Sequence, residues 1–225
     1  MFFLKFFRFR YGDACAFVNA LMVLALVTFI LPAQAVATER LKILALGDSL
    51  SAGYGLLQAD SFPSQLEHAL NEHGLKVKVI NAGVSGDTSA GGLSRLEWSL
   101  SEGADAVIVE LGANDGLRGI EPTETAKNLD AILAILQKKG LAVLVTGMQA
   151  PPNLGAEYGE EFAAIYPRLA EKYKMTLYPF FLDGVAAIAE LNQEDTIHPN
   201  VKGVKIIVER ILPYVKKVLE GVQAK

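Results

Sequence analysis

Leu44-Ala45-Leu46-Gly47-Asp48-Ser49-Leu50-Ser51-Ala52-Gly53-Tyr54-Gly55 is an apolar run that stops at a glycine and delivers a serine. Such a run suits a strand buried on both faces, and the glycine and aspartate after it suit a tight turn at the strand's carboxyl end. A hydroxyl held there is a candidate nucleophile. It is weak at neutral pH, so it needs a histidine base, a carboxylate to orient that base and donors for a developing oxyanion. The bland alternative is that Gly, Asp and Ser merely turn the chain and cap a helix. The remainder of the sequence separates the two readings.

Working outward, short apolar runs at 77–80, 106–111, 142–146 and 175–178 join the first at 42–46. Between them, 62–72, 89–101, 122–139 and 157–174 repeat apolar residues at helical spacing, and 201–219 follows the last run. Pro122 marks the start of the third of these helices and Gly140 its end, while Pro167 inside the fourth predicts a kink or a split. Strict alternation of strand and helix implies right-handed βαβ units. The expected fold class is therefore α/β, a three-layer α/β/α sandwich with a five-stranded parallel sheet. Ligands of such sheets bind outside the carboxyl ends of the strands, which confines the partners of Ser49 to the loops that leave those ends.

Three loops supply candidates. After the second strand, Asn81-Ala82-Gly83-Val84-Ser85-Gly86-Asp87-Thr88 has glycines that allow close backbone approach and can offer an amide donor at Gly83. After the third, Gly112-Ala113-Asn114-Asp115-Gly116 can aim the Asn114 amide into the same space, with Asp115 supporting Asn114 from behind. Before the last helix comes Asp195-Thr196-Ile197-His198-Pro199-Asn200, where a spacing of three lets a carboxylate reach Nδ1 and leaves Nε2 free as a base. The other two histidines, His68 and His73, both fall on the first long helix. Each residue alone could be an ordinary loop residue. A serine, a glycine loop, an asparagine and a carboxylate–histidine pair, all at strand carboxyl ends, together point to nucleophilic catalysis. Asp48 is read as a turn-stabilising carboxylate, Ser51 as a hydrogen-bonding loop residue and the single Trp98 as a core residue.

Residues 1–35 read as an exported leader rather than as part of the fold. Lys5, Arg8 and Arg10 precede an apolar stretch at 20–31, and Ala33-Gln34-Ala35 is a small-x-small cleavage site. The rival is an uncleaved anchor, since the apolar stretch counted from Ala14 approaches spanning length. The single cysteine, Cys15, lies in this segment, so residues 36–225 hold no disulfide framework and no thiol nucleophile. The whole chain carries 21 basic and 25 acidic side chains; without Lys5, Arg8, Arg10 and Asp13 the balance is 18 to 24, net −6. That balance excludes a nucleic-acid partner. No linker or repeat divides 36–225, so one domain is expected, in the periplasm or secreted, as a monomer with no stable membrane insertion after cleavage.

The blocks around Ser49, Gly83, Asn114 and His198 resemble, in order and over nearly all of 36–225, the four sequence blocks of the SGNH, or GDSL-type, hydrolases. Within them Ala164-Ile165-Tyr166-Pro167, Pro179-Phe180-Phe181 and Ile197-His198-Pro199-Asn200 are similar to the bacterial secreted arylesterase, thioesterase and lysophospholipase branch. The resemblance implies a flavodoxin-like fold, Ser49 as nucleophile, His198 as general base then acid, and Asp195 as its orienting carboxylate. It also implies an oxyanion hole of Ser49 N–H, Gly83 N–H and the Asn114 side chain, with no metal and no cofactor.

Other classes fare worse. There is no Gly-x-Gly-x-x-Gly or Gly-Lys-Ser/Thr loop after the first strand, and Ser51 stands where an α/β-hydrolase elbow wants its second glycine. A non-catalytic lipid- or glycan-binding module on the same fold would lose Ser49, Asn114 or His198, and all three are present. No stretch is long enough for a lid, so the substrate is expected in a shallow groove walled by the loops carrying Leu56 and Leu57, Leu117 and Ile120, and Met148 and Leu154. Such a groove rewards each added methylene modestly. Short to medium acyl esters, aryl esters included, are the expected substrates, with thioesters and lysophospholipids implied by the resemblance and a carbohydrate acetylesterase as the alternative.

Overall fold

The computed structural model describes residues 40–223; the leader expected at 1–35 lies outside the described residues. Five parallel strands, β1 (Leu41–Gly47), β2 (Val77–Gly83), β3 (Ala106–Glu110), β4 (Ala142–Thr146) and β5 (Thr176–Tyr178), form one sheet in the order β2-β1-β3-β4-β5. This is the flavodoxin-like order, whose topological switch point lies between β1 and β3. The register pairs Gly47 with both Gly83 and Glu110, so three strands end side by side at that point. Every residue of β3 is buried, as a strand covered on both faces must be, whereas the edge strand β2 buries Val77 and Val79 and exposes Lys78.

The helices are α1 (Ser49–Ala52), α2 (Phe62–Glu72), α3 (Ser89–Ser99), α4 (Ala113–Leu117), α5 (Pro122–Lys138), α6 (Ala156–Tyr173) and α7 (Val201–Gln223). α2 packs with α7, and α5 packs with both α3 and α6, which puts two helices on one face of the sheet and three on the other. Burial places them. On α5, Leu129, Ile132, Leu133 and Leu136 face the core at helical spacing, and at about 1.5–3 kcal/mol for each such side chain this outweighs the few tenths that propensity contributes per residue. No helix among the described residues is long and apolar enough to cross a membrane.

One expectation is narrowed here and another corrected. α6 runs unsplit through Pro167, because Phe162, Ile165, Tyr166, Leu169 and Ala170 are buried on both sides of the proline, and the Tyr166 hydroxyl donates to the Leu111 carbonyl at 3.1 Å. Trp98 is not in the core: it is 76% exposed. The buried stripe of α3 is Ser89, Gly92, Leu96 and Ser99, and a residue two positions from Leu96 points to the far side of the helix.

The end of β2 meets the nucleophile turn without room for a side chain. A Cβ on Gly83 would stand 2.2 Å from the Ala52 nitrogen and 2.8 Å from the Asp48 carbonyl oxygen, both backbone atoms. Gly83→Ala should therefore destabilise the protein by about 2 kcal/mol or more, read as a lower urea midpoint. An unchanged midpoint would mean that the turn can move away from β2.

Candidate active site

Ser49 opens the short helix α1. Asp48 caps it, its Oδ1 accepting the Leu50 N–H at 3.0 Å, and Gly53 closes it in the left-handed region at φ 83°. Across the crevice, His198 Nε2 lies 2.9 Å from Ser49 Oγ, and His198 Nδ1 donates to Asp195 Oδ2 at 2.6 Å. Asp195 Oδ1 accepts the backbone N–H groups of Ile197 and His198, each at 3.0 Å. The His198 N–H above all, and then its ring, hold the Asp195 carboxyl down at about 2. The tight turn that makes a three-residue spacing work has Thr196 in the left-handed region at φ 62°. Ser49, Asp195 and His198 are thus brought together as the sequence predicts.

Gln193, which sequence reasoning missed, fastens the serine loop to the histidine loop. Its Nε2 donates to the carbonyls of Tyr54 (2.7 Å) and Pro199 (3.1 Å), and its N–H donates to the His198 carbonyl (2.8 Å). The Tyr54 ring lies against the imidazole, centroids 4.6 Å apart. Nothing in the sequence near Gln193 flags this, since its partners are backbone oxygens.

Asn114 sits on α4, at the end of β3 and across the switch point from Ser49. Its Nδ2 donates to Asp48 Oδ2 at 3.1 Å. Asp115 does not support it: that carboxylate is buried and accepts from the Ser89 N–H, the Ser89 hydroxyl and the Thr125 hydroxyl, tying the start of α3 to α5. Asp48 holds Asn114 instead. Ser51, as expected, is a hydrogen-bonding residue, its hydroxyl donating to Glu110 Oε2.

The Gly83 N–H, the donor expected from the loop after β2, is already given to Asn81 Oδ1 at 2.9 Å. Further along the same loop Gly86 stands at φ 86°, its carbonyl accepting from Arg118 at 2.6 Å, while its N–H has no partner among the described residues. Arg95 fixes this loop to the end of β1: Nε donates to Asp87 Oδ2 at 2.6 Å and Nη2 to the Gly47 carbonyl at 2.8 Å.

Of the predicted groove residues, Leu57 and Leu117 are exposed and Leu56, Ile120 and Leu154 half-buried. Met148 is not a wall: it is 3% exposed. The Gly147 N–H donates to the Tyr178 carbonyl and the Gly147 carbonyl accepts from Phe181, which draws the start of that loop into the sheet and turns Met148 to the core. Beside Trp98 on α3 and Val201 on α7, the large apolar side chains that remain exposed among the described residues lie on the segments that follow strand carboxyl ends: Tyr54, Leu57, Val84, Leu117, Ile188 and Ile197.

A hydroxyl, an imidazole and a carboxylate bonded in series at the switch point of a flavodoxin-like sheet make the arrangement of a serine hydrolase. Comparison with known proteins agrees, and the chain belongs to the GDSL-like lipase/acylhydrolase family, whose model matches residues 45–206. It is similar to an arylesterase of Vibrio mimicus, 43% identical over 182 residues that cover 80% of this chain and 90% of that one. It is also similar to the Escherichia coli K12 protein named thioesterase 1/protease 1/lysophospholipase L1, 41% identical over 80% of this chain and 82% of that one. Among solved structures, AlinE4, an SGNH-hydrolase family esterase, is 50% identical with TM-score 0.68, covering 80% of this chain and 97% of that one. The protein is a carboxylic ester hydrolase of the serine type.

Burial pushes the Asp48 carboxyl up to about 6 from its ordinary 3.8. As pH falls through 6 the folded state takes up a proton that the unfolded chain accepts only near its ordinary value, so protonation favours the fold across that window. Wild type should therefore gain stability relative to Asp48→Asn as pH falls from 7 to 4, measured by urea unfolding at each pH. A difference independent of pH would show that Asp48 ionises as freely in the fold as in the unfolded chain.

Proposed function

We propose that the protein hydrolyses short to medium acyl esters through an acyl-serine intermediate, and the observation that carries this is the Ser49–His198–Asp195 hydrogen-bond series. His198 Nε2 takes the Ser49 proton as Oγ attacks the acyl carbon, then gives it to the departing alcohol or thiol. Water repeats the exchange and releases the acid. Asp195, held ionised by two backbone N–H groups, fixes the imidazole with Nδ1 protonated and stabilises the imidazolium as it forms. The negative oxygen is met by the Ser49 N–H, by the Asn114 Nδ2 hydrogen not engaged by Asp48, and by an N–H of the loop after β2. For that third donor Gly86 replaces Gly83, whose N–H is occupied.

The exposed apolar side chains around the site support an apolar acyl or aryl group lying in an open groove. Thioesters and lysophospholipids fit the same groove and chemistry, in keeping with the names of the relatives, whereas a nucleic-acid ligand does not fit the acidic surface. Residues 1–35 are proposed to be removed after Ala35, leaving 36–225 as one exported, monomeric domain. Intact-mass measurement of secreted material tests this, and a membrane-bound species retaining 1–35 would favour the anchor.

Ser49→Ala should abolish turnover with the fold intact, and a fluorophosphonate should label the wild type at Ser49 alone. In the same series Asn114→Ala should lower kcat on the order of 10² to 10³-fold with little change in KM, as loss of an oxyanion donor does. Residual turnover in Ser49→Ala, or a change confined to KM in Asn114→Ala, would overturn the respective role. For substrate, kcat/KM across acyl lengths on one aryl leaving group decides. An optimum at acetate with activity on acetylated sugars alone would make it a carbohydrate acetylesterase.

A further inference from the structure

Behind the nucleophile turn, on the side away from solvent, lies a carboxyl that acyl transfer does not use. Glu110 ends β3 opposite Gly47 and has 0% exposure. Its Oε2 accepts the Ser51 hydroxyl at 2.8 Å and the Asp48 N–H at 3.3 Å, while its Oε1 has no hydrogen-bond partner. Gly47 makes the room: a Cβ there would stand 2.5 Å from Glu110 Oε2 and 2.1 Å from Ser51 Oγ. The glycine that opens the Gly-Asp-Ser turn is thus required by the Ser51 side chain and the Glu110 carboxyl bonded to it. Residues 48 and 51, which bracket Ser49, both hang on one oxygen of it.

A carboxylate in that place would bury a full charge next to Asp48 and leave one oxygen unbonded. A protonated acid leaves only a hydroxyl unmatched, a far smaller penalty. Burial first, and then the Asp48 charge, push the Glu110 carboxyl well above its ordinary range, in the direction that the geometry demands.

We propose that Glu110 is a positioning residue whose protonated carboxyl anchors the Asp48 N–H and the Ser51 hydroxyl, and so fixes the Ser49 hydroxyl, the Ser49 N–H and the Asp48 carboxylate that orients Asn114. Wholly buried, it touches no substrate and acts through the turn alone. Its effect on rate, though not its protonation, rests on the reading of Ser49 as nucleophile.

Glu110→Gln keeps an acceptor oxygen and a neutral group of the same shape; Glu110→Leu keeps the volume and removes the acceptor. The first should hold kcat within about threefold of wild type, and the second should lose on the order of 10²-fold, with KM within about twofold in both. Fluorophosphonate labelling of Ser49 should slow in step with kcat. A folded Glu110→Leu with wild-type kcat overturns the proposal, as does a Glu110→Gln as impaired as Glu110→Leu, because then the carboxyl would be needed as a charge. Should Glu110→Leu fail to fold, Ser51→Ala removes one of the two anchored donors. Its kcat should fall about tenfold at constant KM, and an unchanged kcat overturns the proposal. Infrared difference spectra of wild type against Glu110→Gln at neutral pH test the protonation without turnover. A protonated-carboxyl C=O band missing from the variant supports it, and absence of that band from wild type sinks it even if Ser49 proves catalytic. The band present alongside a Ser49→Ala protein that still turns over would fail the nucleophile reading alone.

Discussion

A parallel sheet whose crossovers depart from β1 and β3 toward opposite faces must leave a crevice between the ends of those two strands, and this constraint governs the rest of the site. β1 brings Ser49 to one wall of the crevice, β3 brings Asn114 to the other, and the loop before α7 lowers His198 over it. The walls stay close because the strand ends carry glycine where they meet: Gly47 admits the Glu110 carboxyl and Gly83 lies against the backbone of Ala52 and Asp48. A side chain at either place would widen the gap that the chemistry needs narrow.

Four carboxyls stand in or beside this crevice, and each is accommodated differently. Asp195 is exposed and receives two backbone N–H groups and an imidazole. Asp115 is buried with three donors. Asp48 has the Leu50 N–H and the Asn114 amide, and Glu110 has two donors on one oxygen and none on the other. Burial pushes the Asp48 and Glu110 carboxyls up, whereas the donors on Asp195 hold that carboxyl down. The contrast between Asp195 and Glu110 favours negative charge beside His198, where an imidazolium must form, and disfavours it in the space behind Ser49, where a second anion would oppose an oxyanion.

Most of the scaffold was legible in the sequence because each of its signals is local. All five strands and the five long helices fall where apolar runs and helical spacing put them, and the short helices α1 and α4 coincide with the turns that carry Ser49 and Asn114. The Asp195–His198 pair was readable for the same reason, since a spacing of three is a local geometry. What escaped depends on contacts between distant segments. Glu110 reads as the polar end of a strand until Gly47 is seen opposite it; Gln193 binds backbone oxygens that have no residue code; and the exchange of Asp115 for Asp48 as the partner of Asn114 turns on which way α4 faces. Met148 and Trp98 were misplaced by one turn of a loop and by one position around a helix, errors that composition cannot detect. That α6 is not split at Pro167 follows from the burial of its neighbours, a tertiary effect larger than the local penalty.

The misplaced tryptophan has an optical consequence. Trp98 is the single indole in the chain and stands in solvent on α3, well outside the core. At that exposure its emission in the native protein should be that of a hydrated indole, as in the unfolded chain, so the usual red shift on denaturation should have almost nothing to report. The same exposure makes it a probe of encounters: a soluble quencher should reach it freely, and shielding of it should record something settling on the outer face of α3.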